Sequence, residues 1–233
     1  EEERRRAVQH LCRVPGSCPV GRCTEIIFPS NVMMHMLHKH TQMANITTAE
    51  IFEHKPCVVC FDPTDYEYGD NQCVASLMYA GVQDQLDTLP GISYLSPPNS
   101  ALINDHHKYD NHLPIMMIGC RCSWYCQLKD KTLERELVAL NAKKSGIYVF
   151  WLVAPRTTRK LYYTLTVFDR HYLNTRCVVR KVRDYTNFQN PSDFLPYEDD
   201  YLVLRDSEVR EFLNIRHSKK SKKLKMPKRG IPM

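Results

Sequence analysis

The stretch IYVFWLVA, residues 147–154, is the longest apolar run in the chain. It is far too short to cross a bilayer, which takes about 20 residues of helix. β-branched and aromatic side chains dominate the run, and such side chains are typical of strands. The run therefore predicts a β-strand, and the fold class depends on how much of the chain follows the same pattern.

Most of the sequence around this run is also strand-like. In residues 161–169, Leu165 and Val167 alternate with Thr164 and Thr166, which is typical of an antiparallel strand with one solvated face. Turn-prone stretches rich in Pro, Asn, Asp and Gly separate the segments. The further segments that predict strands are PCVVCF (56–61), CVASLMYA (73–80), PIMMIGCRCSWYCQL (114–128), LYYTLTVFD (161–169), RCVVRKVRDY (176–185) and DYLVLR (200–205).

Helix signals are few. Residues 131–146, KTLERELVALNAKKSG, place Leu133, Leu137 and Leu140 at helical spacing and end in a glycine, a typical helix stop. A second short helix is predicted to begin at Asp206. About seven short strands with so little helix predict a β-sandwich over residues 50–214.

A Cys/His pattern precedes this strand-rich region, in CPVGRCTEIIFPSNVMMHMLHKH, residues 18–40. Four residues separate Cys18 from Cys23, eleven separate Cys23 from His35, and four separate His35 from His40. Zinc fingers of the C2H2 class have nearly these gaps. A short turn can bring two thiolates together and a following helix can supply two imidazoles, so the pattern predicts a tetrahedral zinc site.

Four protein donors would complete the coordination of the metal. We therefore expect a structural zinc rather than a catalytic one, which keeps a position for water. A module of about 30 residues has too small a core to fold alone, so the metal would supply its folding free energy. Two alternatives remain for the ligand set. His38, in the predicted helix, could replace His40, and Cys12, upstream of the first thiolate, could replace one of the two cysteines.

The finger is poorly suited to reading DNA. Phe28, Asn31 and Met34 occupy the helix positions that contact bases in DNA-binding fingers, and only the asparagine could read a base. The methionines of the helix instead predict a soft apolar surface for a protein partner, or packing against the sandwich. These methionines are Met33, Met34 and Met36.

The remaining Cys and His clusters have two interpretations each. Cys57 and Cys60 form a CxxC pair in a predicted strand, and we favour core thiols over a redox or second metal site. The segment DHHKYDNH, residues 105–112, predicts a solvated polar loop, with a weak metal site as the alternative. Three further cysteines share one face of a strand and predict core side chains: Cys120, Cys122 and Cys126.

The sequence contains no nucleophile–base frame, glycine-rich phosphate loop or recognisable carboxylate pair, so we predict that the protein is not an enzyme. Apolar residues make up 43% and charged residues 25%, typical of a soluble globular protein. The N-terminal segment lacks the apolar core of a signal peptide, and we therefore expect a reducing compartment in which the ten cysteines stay free.

The net charge of +6 arises at the C-terminus. From Arg216 to Met233 there are eight Lys or Arg and no acid, which leaves 24 basic and 26 acidic residues elsewhere, a net charge of −2 (24 − 26). Such runs serve as nuclear-import signals, nucleic-acid contacts or solubilising tails, and we favour import. The residues of this predicted tail signal are Lys219, Lys220, Lys222, Lys223, Lys225, Lys228 and Arg229.

The predicted fold class is mainly β with a small α+β zinc module. The finger comes first and an antiparallel sandwich follows it. The predicted parts are a charged lead-in (1–11), a C2H2-like zinc finger (12–42), the β-sandwich (50–214) and a disordered basic tail (215–233).

This plan resembles that of the seven-in-absentia and TRAF-type proteins, in which Cys/His zinc modules precede a β-sandwich that binds peptides. The similar segments are the finger, GIYVFWLVAP, LYYTLTVFD, TRCVVRKVRDY and FLPYEDDYLVLRD. A more specific resemblance is to uncharacterised insect proteins defined by a domain of unknown function, through CVVCFDPTDYEYGDNQCVASLMYAG and FWLVAP. The resemblance implies a TRAF-like sandwich and zinc on the four finger ligands. The RING ligand series of seven-in-absentia ligases is missing from this sequence.

These patterns predict a non-enzymatic, adaptor-like zinc protein in the nucleus that binds an unidentified protein or peptide and makes no membrane contact. One alternative is a nucleic-acid-associated regulator that uses the basic tail and the finger. A more distant alternative is the substrate-recognition part of a ubiquitin ligase assembly without its own RING. A cytoplasmic location is the alternative to the nucleus, and the sequence leaves the oligomeric state open.

Overall fold

The structure is a computed structural model that describes residues 1–40, 46–100, 102–141, 146–169 and 171–213. The predicted basic tail, residues 215–233, lies outside the described residues. About 30% of the structure is strand and 29% is helix, so the fold is mixed α/β. Within the described residues, no helix has both the length and the apolar character that a membrane span requires.

In the part of the chain that the structure describes, ten strands form three sheets. In chain order they are β1 (Gly16–Ser17), β2 (Ile26–Ile27), β3 (Thr47–Ile51), β4 (Asn71–Tyr79), β5 (Leu113–Ser123), β6 (Gly146–Ala154), β7 (Tyr162–Phe168), β8 (Thr175–Lys181), β9 (Arg183–Asp184) and β10 (Leu202–Arg205).

Five α-helices and several shorter helical turns connect them. The α-helices are α1 (Glu2–Leu11), α2 (Val32–His35), α3 (Lys131–Asn141), α4 (Pro191–Phe194) and α5 (Asp206–Phe212). The other turns are 3₁₀ segments at Pro29–Asn31, Pro63–Asp65, Leu86–Thr88, Asn104–Tyr109 and Trp124–Gln127, and a π-helical turn at Met36–His40.

The main sheet has six strands in the order β10-β6-β5-β4-β3, with β9 pairing at one end of β6. The β3–β4 and β6–β9 pairs are parallel, and the other pairs are antiparallel. Every residue of β6 is buried, as the apolar run that predicted this strand requires. The β4 strand has an irregularity between Cys73 and Ala75, where its register against β5 shifts.

Each face of β6 belongs to a different core. Trp151 and its alternate neighbours pack with finger residues Ile27, Val32 and Met36, so the finger and the sheet share one apolar cluster. Phe150 and its alternate neighbours pack on the other face beneath the two-stranded ribbon formed by β7 and β8. The main sheet is therefore covered by the finger on one face and by the β7–β8 ribbon on the other.

The architecture differs from the expected sandwich. Strands β7 and β8 pair only with each other among the described residues, and β3 joins the main sheet in parallel, so the TRAF-like antiparallel sandwich is not confirmed. The chain is also more helical than the predicted mainly β class. Helix α1 was missed because its charged sequence buries only two apolar side chains, Val8 and Leu11.

The cysteine predictions have mixed outcomes. Cys120, Cys122 and Cys126 are buried in the core that the finger covers, which confirms their predicted role. The predicted strand at residues 56–61 is wrong, because this segment has no strand pairing and exposes both Cys57 and Cys60. The apolar side chains that suggested a strand, Val59 and Phe61, are only half-buried and pack on the edge of the ribbon-side core.

Candidate metal centre

The first two donors are held by the hairpin of β1 and β2. Cys18 follows β1 directly, and its backbone N–H donates to the Glu25 carbonyl at 3.0 Å. The turn between the thiolates closes with a 3.1 Å bond from the Cys23 N–H to the Val20 carbonyl. Gly21 takes a positive φ of 48° in this turn, a conformation that glycine adopts without steric cost.

The other two donors lie on the helical segment that follows. Its start is fixed by Asn31, whose Oδ1 accepts the Phe28 N–H at 2.8 Å. The segment widens from α-helix into a π-helical turn at Met36–His40. In an α-helix, residues five apart point about 140° away from each other. The wider π turn brings His35 and His40 to the same side, which explains why His40 faces the thiolates and the exposed His38 does not.

The four donor atoms have the separations that a tetrahedral zinc requires. All lie within 4.8 Å of one another. The Cys18 Sγ–His40 Nε2 distance is 3.3 Å, the Cys23 Sγ–His35 Nε2 distance is 3.7 Å, and the two Nε2 atoms are 3.1 Å apart. Standard zinc bond lengths at tetrahedral angles give about 3.6 Å between sulfur and nitrogen and about 3.3 Å between nitrogens. The donor set therefore fits zinc.

Glu25 supports one of the imidazoles. Its Oε2 lies 3.1 Å from His35 Nδ1, the ring nitrogen that points away from the donor cluster. Its other oxygen accepts from Lys39 Nζ at 2.9 Å, and this bond lowers the pKa of Glu25. A carboxylate in this position fixes the tautomer that leaves Nε2 free to bind a metal. No spacing rule in the sequence identifies Glu25, because its contact depends on how the hairpin meets the helix.

Burial sets the protonation of the donors. It raises the pKa of Cys18 to about 12, and it lowers the pKa of both His35 and His40. The imidazoles are therefore neutral and ready to coordinate at neutral pH. The Cys18 thiol would lose its proton in exchange for a cation, so metal binding at this site releases protons.

The structure places the other predicted residues away from this cluster. Cys12 is half-buried and is not part of it. Met33 and Met36 are fully buried, so they pack against the body of the protein rather than forming a free surface. Asn31 uses its side-chain oxygen to fix the helix start, which removes the one side chain that could have read a base.

No second metal site emerges from the described residues, where the finger donors are the one group of His, Cys, Asp and Glu close enough to share an ion. The alternatives at Cys57 and Cys60 and at residues 105–112 therefore gain no support. In the latter segment, His112 is buried and its Nε2 lies 2.7 Å from a Glu50 oxygen. The seven predicted tail residues from Lys219 to Arg229 lie outside the described residues.

A family model for a domain of unknown function, DUF4729, matches residues 17–215. The chain belongs to the DUF4729 family. No curated protein and no solved structure matches the chain. The DUF4729 match includes all four finger donors and the whole main sheet, so the finger is part of the domain that the family shares. The predicted resemblance to a family of unknown function is confirmed at this level, whereas the finer likeness to TRAF-type proteins is not.

Proposed function

We propose that this DUF4729 protein is a non-enzymatic, zinc-binding module for protein interaction that acts in the nucleus. The observation that carries the proposal is the geometry of Cys18, Cys23, His35 and His40, whose donor atoms surround one point at zinc-like distances. Four protein donors leave a zinc ion no position for a reactive water. Such an ion stabilises structure, and the protein then acts by binding.

The shared core explains what the zinc would hold together. Ile27 and Val32 lie beside the donors and also pack on the main sheet. A metal that fixes the finger thereby fixes the cover of one face of the sheet. Met33 and Met36 of the finger helix are buried by packing against the body of the protein. These two methionines are therefore not available to a partner, which we expect to bind at another surface.

Helix α3 offers an apolar surface for a protein partner. Its buried side is anchored by a polar residue, Glu134, which bonds to Lys131 Nζ at 2.6 Å and to Ser192 Oγ at 2.7 Å. Two of its three leucines are exposed, Leu140 by 77% and Leu133 by 42%, and Leu137 between them is half-buried. Neighbouring exposed leucines of this kind are typical of protein-binding surfaces.

The nuclear part of the proposal depends on the tail. Lys219, Lys220, Lys222 and Lys223 form two lysine pairs of the kind found in import signals. Replacement of these four lysines by glutamine should shift a fluorescently tagged chain from the nucleus to the cytoplasm. An unchanged nuclear signal would contradict the proposed localisation without affecting the zinc site.

Native mass spectrometry of the purified chain tests the metal. We expect one zinc per chain, lost in Cys18→Ser and in His40→Ala. Cys12→Ser and His38→Ala are the matched controls, because these residues lie nearby in sequence but outside the cluster, and both should keep the ion. A chain without zinc, or loss of zinc in a control variant, would reassign or remove the site.

Chemical crosslinking in cells, followed by capture in high salt with nuclease present, tests the partner. We expect a protein partner to persist under these conditions and to be lost in the double variant Leu133→Ser, Leu140→Ser. The double variant should keep its zinc, since α3 does not contact the finger donors. A partner that disappears on nuclease treatment would argue against a protein interaction.

A further inference from the structure

The β7–β8 ribbon presents a face that the proposed function does not use. The two strands pair in register from Tyr162–Lys181 to Phe168–Thr175, and each has an edge without strand pairing among the described residues. Leu165 and Val178 point towards the main sheet. The opposite face is exposed along the whole of β7.

Positive charge is concentrated in this ribbon. Residues 159–181 contain a single acid, Asp169, and it is buried in the turn of the ribbon. The Asp169 carboxylate accepts N–H bonds from His171, Leu173 and Asn174, so it is not available to neutralise a neighbouring cation. The basic residues of the segment are Arg159, Lys160, Arg170, Arg176, Arg180 and Lys181.

Several of these cations have no carboxylate partner. Arg176 is paired, with its guanidinium 3.1 Å from Glu208. In the described part of the chain, no carboxylate oxygen lies within 4 Å of Arg159, Lys160 or Lys181, and all three side chains are exposed. Unpaired cations on a rigid strand pair favour an anionic ligand.

Exposed aromatic rings lie at both ends of the ribbon, and the three unpaired cations lie at the Tyr162 end. Tyr162 is 66% exposed and sits opposite Lys181 in the register. At the other end, Phe168 and the 74% exposed Tyr172 stack with ring centres 4.8 Å apart. Phe168 lies six positions along the strand from Tyr162, which places the two aromatic positions about 20 Å apart.

We propose that the outward face of the β7–β8 ribbon binds single-stranded nucleic acid, with Tyr162 and Tyr172 stacking on bases and Lys160 and Lys181 contacting phosphates. Aromatic faces beside cations are the recurring parts of such sites, which cover roughly 4–16 nucleotides. A duplex hides its base faces and would offer nothing to stack on Tyr162 or on the face of Tyr172 that Phe168 leaves open. A second copy of the chain would bring basic ends together, and the like charges would oppose pairing.

The proposed nucleic-acid site on the ribbon requires neither zinc nor the protein partner. It includes no residue of the finger or of the predicted tail. An acidic peptide could satisfy the lysines. It would supply no flat rings to cover Tyr162 and Tyr172, however, so the aromatic exposure favours nucleic acid.

Fluorescence anisotropy with labelled oligouridine and oligothymidine of about 12 nucleotides tests the proposal. The full chain is used with the seven basic residues of the predicted tail, from Lys219 to Arg229, replaced by glutamine, which removes their attraction for phosphates. In this background we expect Tyr162→Ala to weaken binding roughly tenfold. Tyr197→Ala is the matched control, because Tyr197 is 67% exposed but lies outside the ribbon, and it should bind as the background does.

A second variant tests the charges. Replacing Lys160 and Lys181 by glutamine should reduce the slope of log affinity against log salt by about 1.4, or about 0.7 per lost phosphate contact. Lys55→Gln, at another exposed lysine, should leave the slope unchanged. Thermal melts confirm that each variant is folded, and the lysine pair keeps the proposal testable if Tyr162→Ala does not fold.

Four outcomes would overturn the proposal. The first is a background chain that binds neither oligonucleotide. The second is a Tyr162→Ala variant that binds as tightly as Tyr197→Ala. Oligoglutamate may compete as strongly as unlabelled oligouridine, which would assign the ribbon to an acidic protein. Preference for a duplex over the single strand would also exclude base stacking. Tighter binding of oligouridine than of oligothymidine would identify RNA as the preferred ligand, and the opposite order would identify DNA.

Discussion

Glu25 shows how one side chain outside the donor set can control the metal. It bonds His35 Nδ1 and Lys39 Nζ at the same time, so the carboxylate is fixed from both sides. The exposed Lys39–Glu25 ion pair contributes little to the stability of the fold, and the Glu25–His35 contact involves a neutral imidazole rather than a cation. The value of Glu25 lies in orienting the imidazole.

We therefore predict that Glu25→Gln lowers zinc affinity by about 10- to 100-fold, in competition titrations with a chromophoric chelator. Lys39→Gln is the matched control, because it removes the Lys39–Glu25 bond and leaves the Glu25–His35 bond in place. Equal losses in the two variants would mean that the ion pair, and not the orientation of His35, is the important contact.

The four metal donors could be predicted from the sequence, but the residue that orients His35, Glu25, could not. Zinc demands particular atom types at short gaps along the chain, so Cys18, Cys23, His35 and His40 carry their own signal. The gap between the histidines already selects His40 over His38, but no local pattern indicates the π-helical turn that brings His40 to the other donors. Glu25 reaches its partner only through the packing of a hairpin on a helix, so its role depends on tertiary structure.

At the scale of single elements, α3 has the leucine spacing that usually marks a core-facing helix. In this fold the side of α3 that faces the body of the protein carries Glu134, which is buried, and Leu140 is exposed to solvent. The sequence identified the helix and its start, because periodicity is a local property, but the helix ends at Asn141 and the predicted stop, Gly146, begins β6. It could not identify which side faces the body, because that depends on Ser192 and Lys131 meeting Glu134.

This orientation predicts a small effect of truncating the exposed leucine. Leu140→Ala should change the free energy of unfolding by less than about 0.5 kcal/mol, the range for exposed positions. A core leucine would cost about 2–5 kcal/mol. Urea denaturation distinguishes the two, and Leu152→Ala, at a buried position of β6, gives the reference for a core loss.

We predict that the stability of the protein depends on pH through Asp169, in the turn between β7 and β8. Burial acts to raise the pKa of Asp169, but bonds from three backbone N–H groups and from Asn174 Nδ2 outweigh it, so the net shift is downward. A lowered carboxyl pKa in the folded state adds stability above the unfolded value of about 3.9, and this stability is lost as pH falls through the folded pKa.

Asp169→Asn should therefore lower the Tm at pH 7, where the native carboxylate is charged. The difference in Tm between the native chain and the variant should shrink as the pH approaches 3. Thermal melts by circular dichroism at both pH values provide the measurement. A constant difference in Tm across this range would show that the charge of Asp169 does not stabilise the turn.

The pairing of strands was the part of the fold least accessible from sequence. Strands β4 to β8 were found as segments, because their apolar and alternating patterns are local. Their assignment to a sandwich was not confirmed, because pairing joins distant segments. The short strand β3 was missed because its five residues, TTAEI, carry only two apolar side chains, and its parallel pairing with β4 stabilises it.

At the scale of the whole molecule, the finger and the sheet form one packed unit. The cluster around Trp151 contains side chains from both, including Met36 of the finger and Val149 of β6. Trp151 Nε1–H donates to Gln189 Oε1 at 3.0 Å in this cluster. Loss of the finger would therefore uncover the centre of the sheet.

We predict that chelation of zinc lowers the Tm of the entire chain by more than about 10 °C in a single transition. Trp151 fluorescence should shift to longer wavelength as the core opens. Cys18→Ser should already be destabilised and should not respond to the chelator. If zinc leaves while the fluorescence of Trp151 and the Tm stay constant, the finger folds independently of the sheet.

The shared core also has a consequence for how the chain is made. About 110 residues separate Met36 from Gly146, where the central strand of its core begins. At about 5–20 residues per second, a ribosome needs roughly 5–20 s to synthesise that stretch. During this interval the nascent finger has its thiols and imidazoles in water and its apolar side uncovered. The domain can therefore close over the finger only once β6 has been synthesised, late in translation or after release.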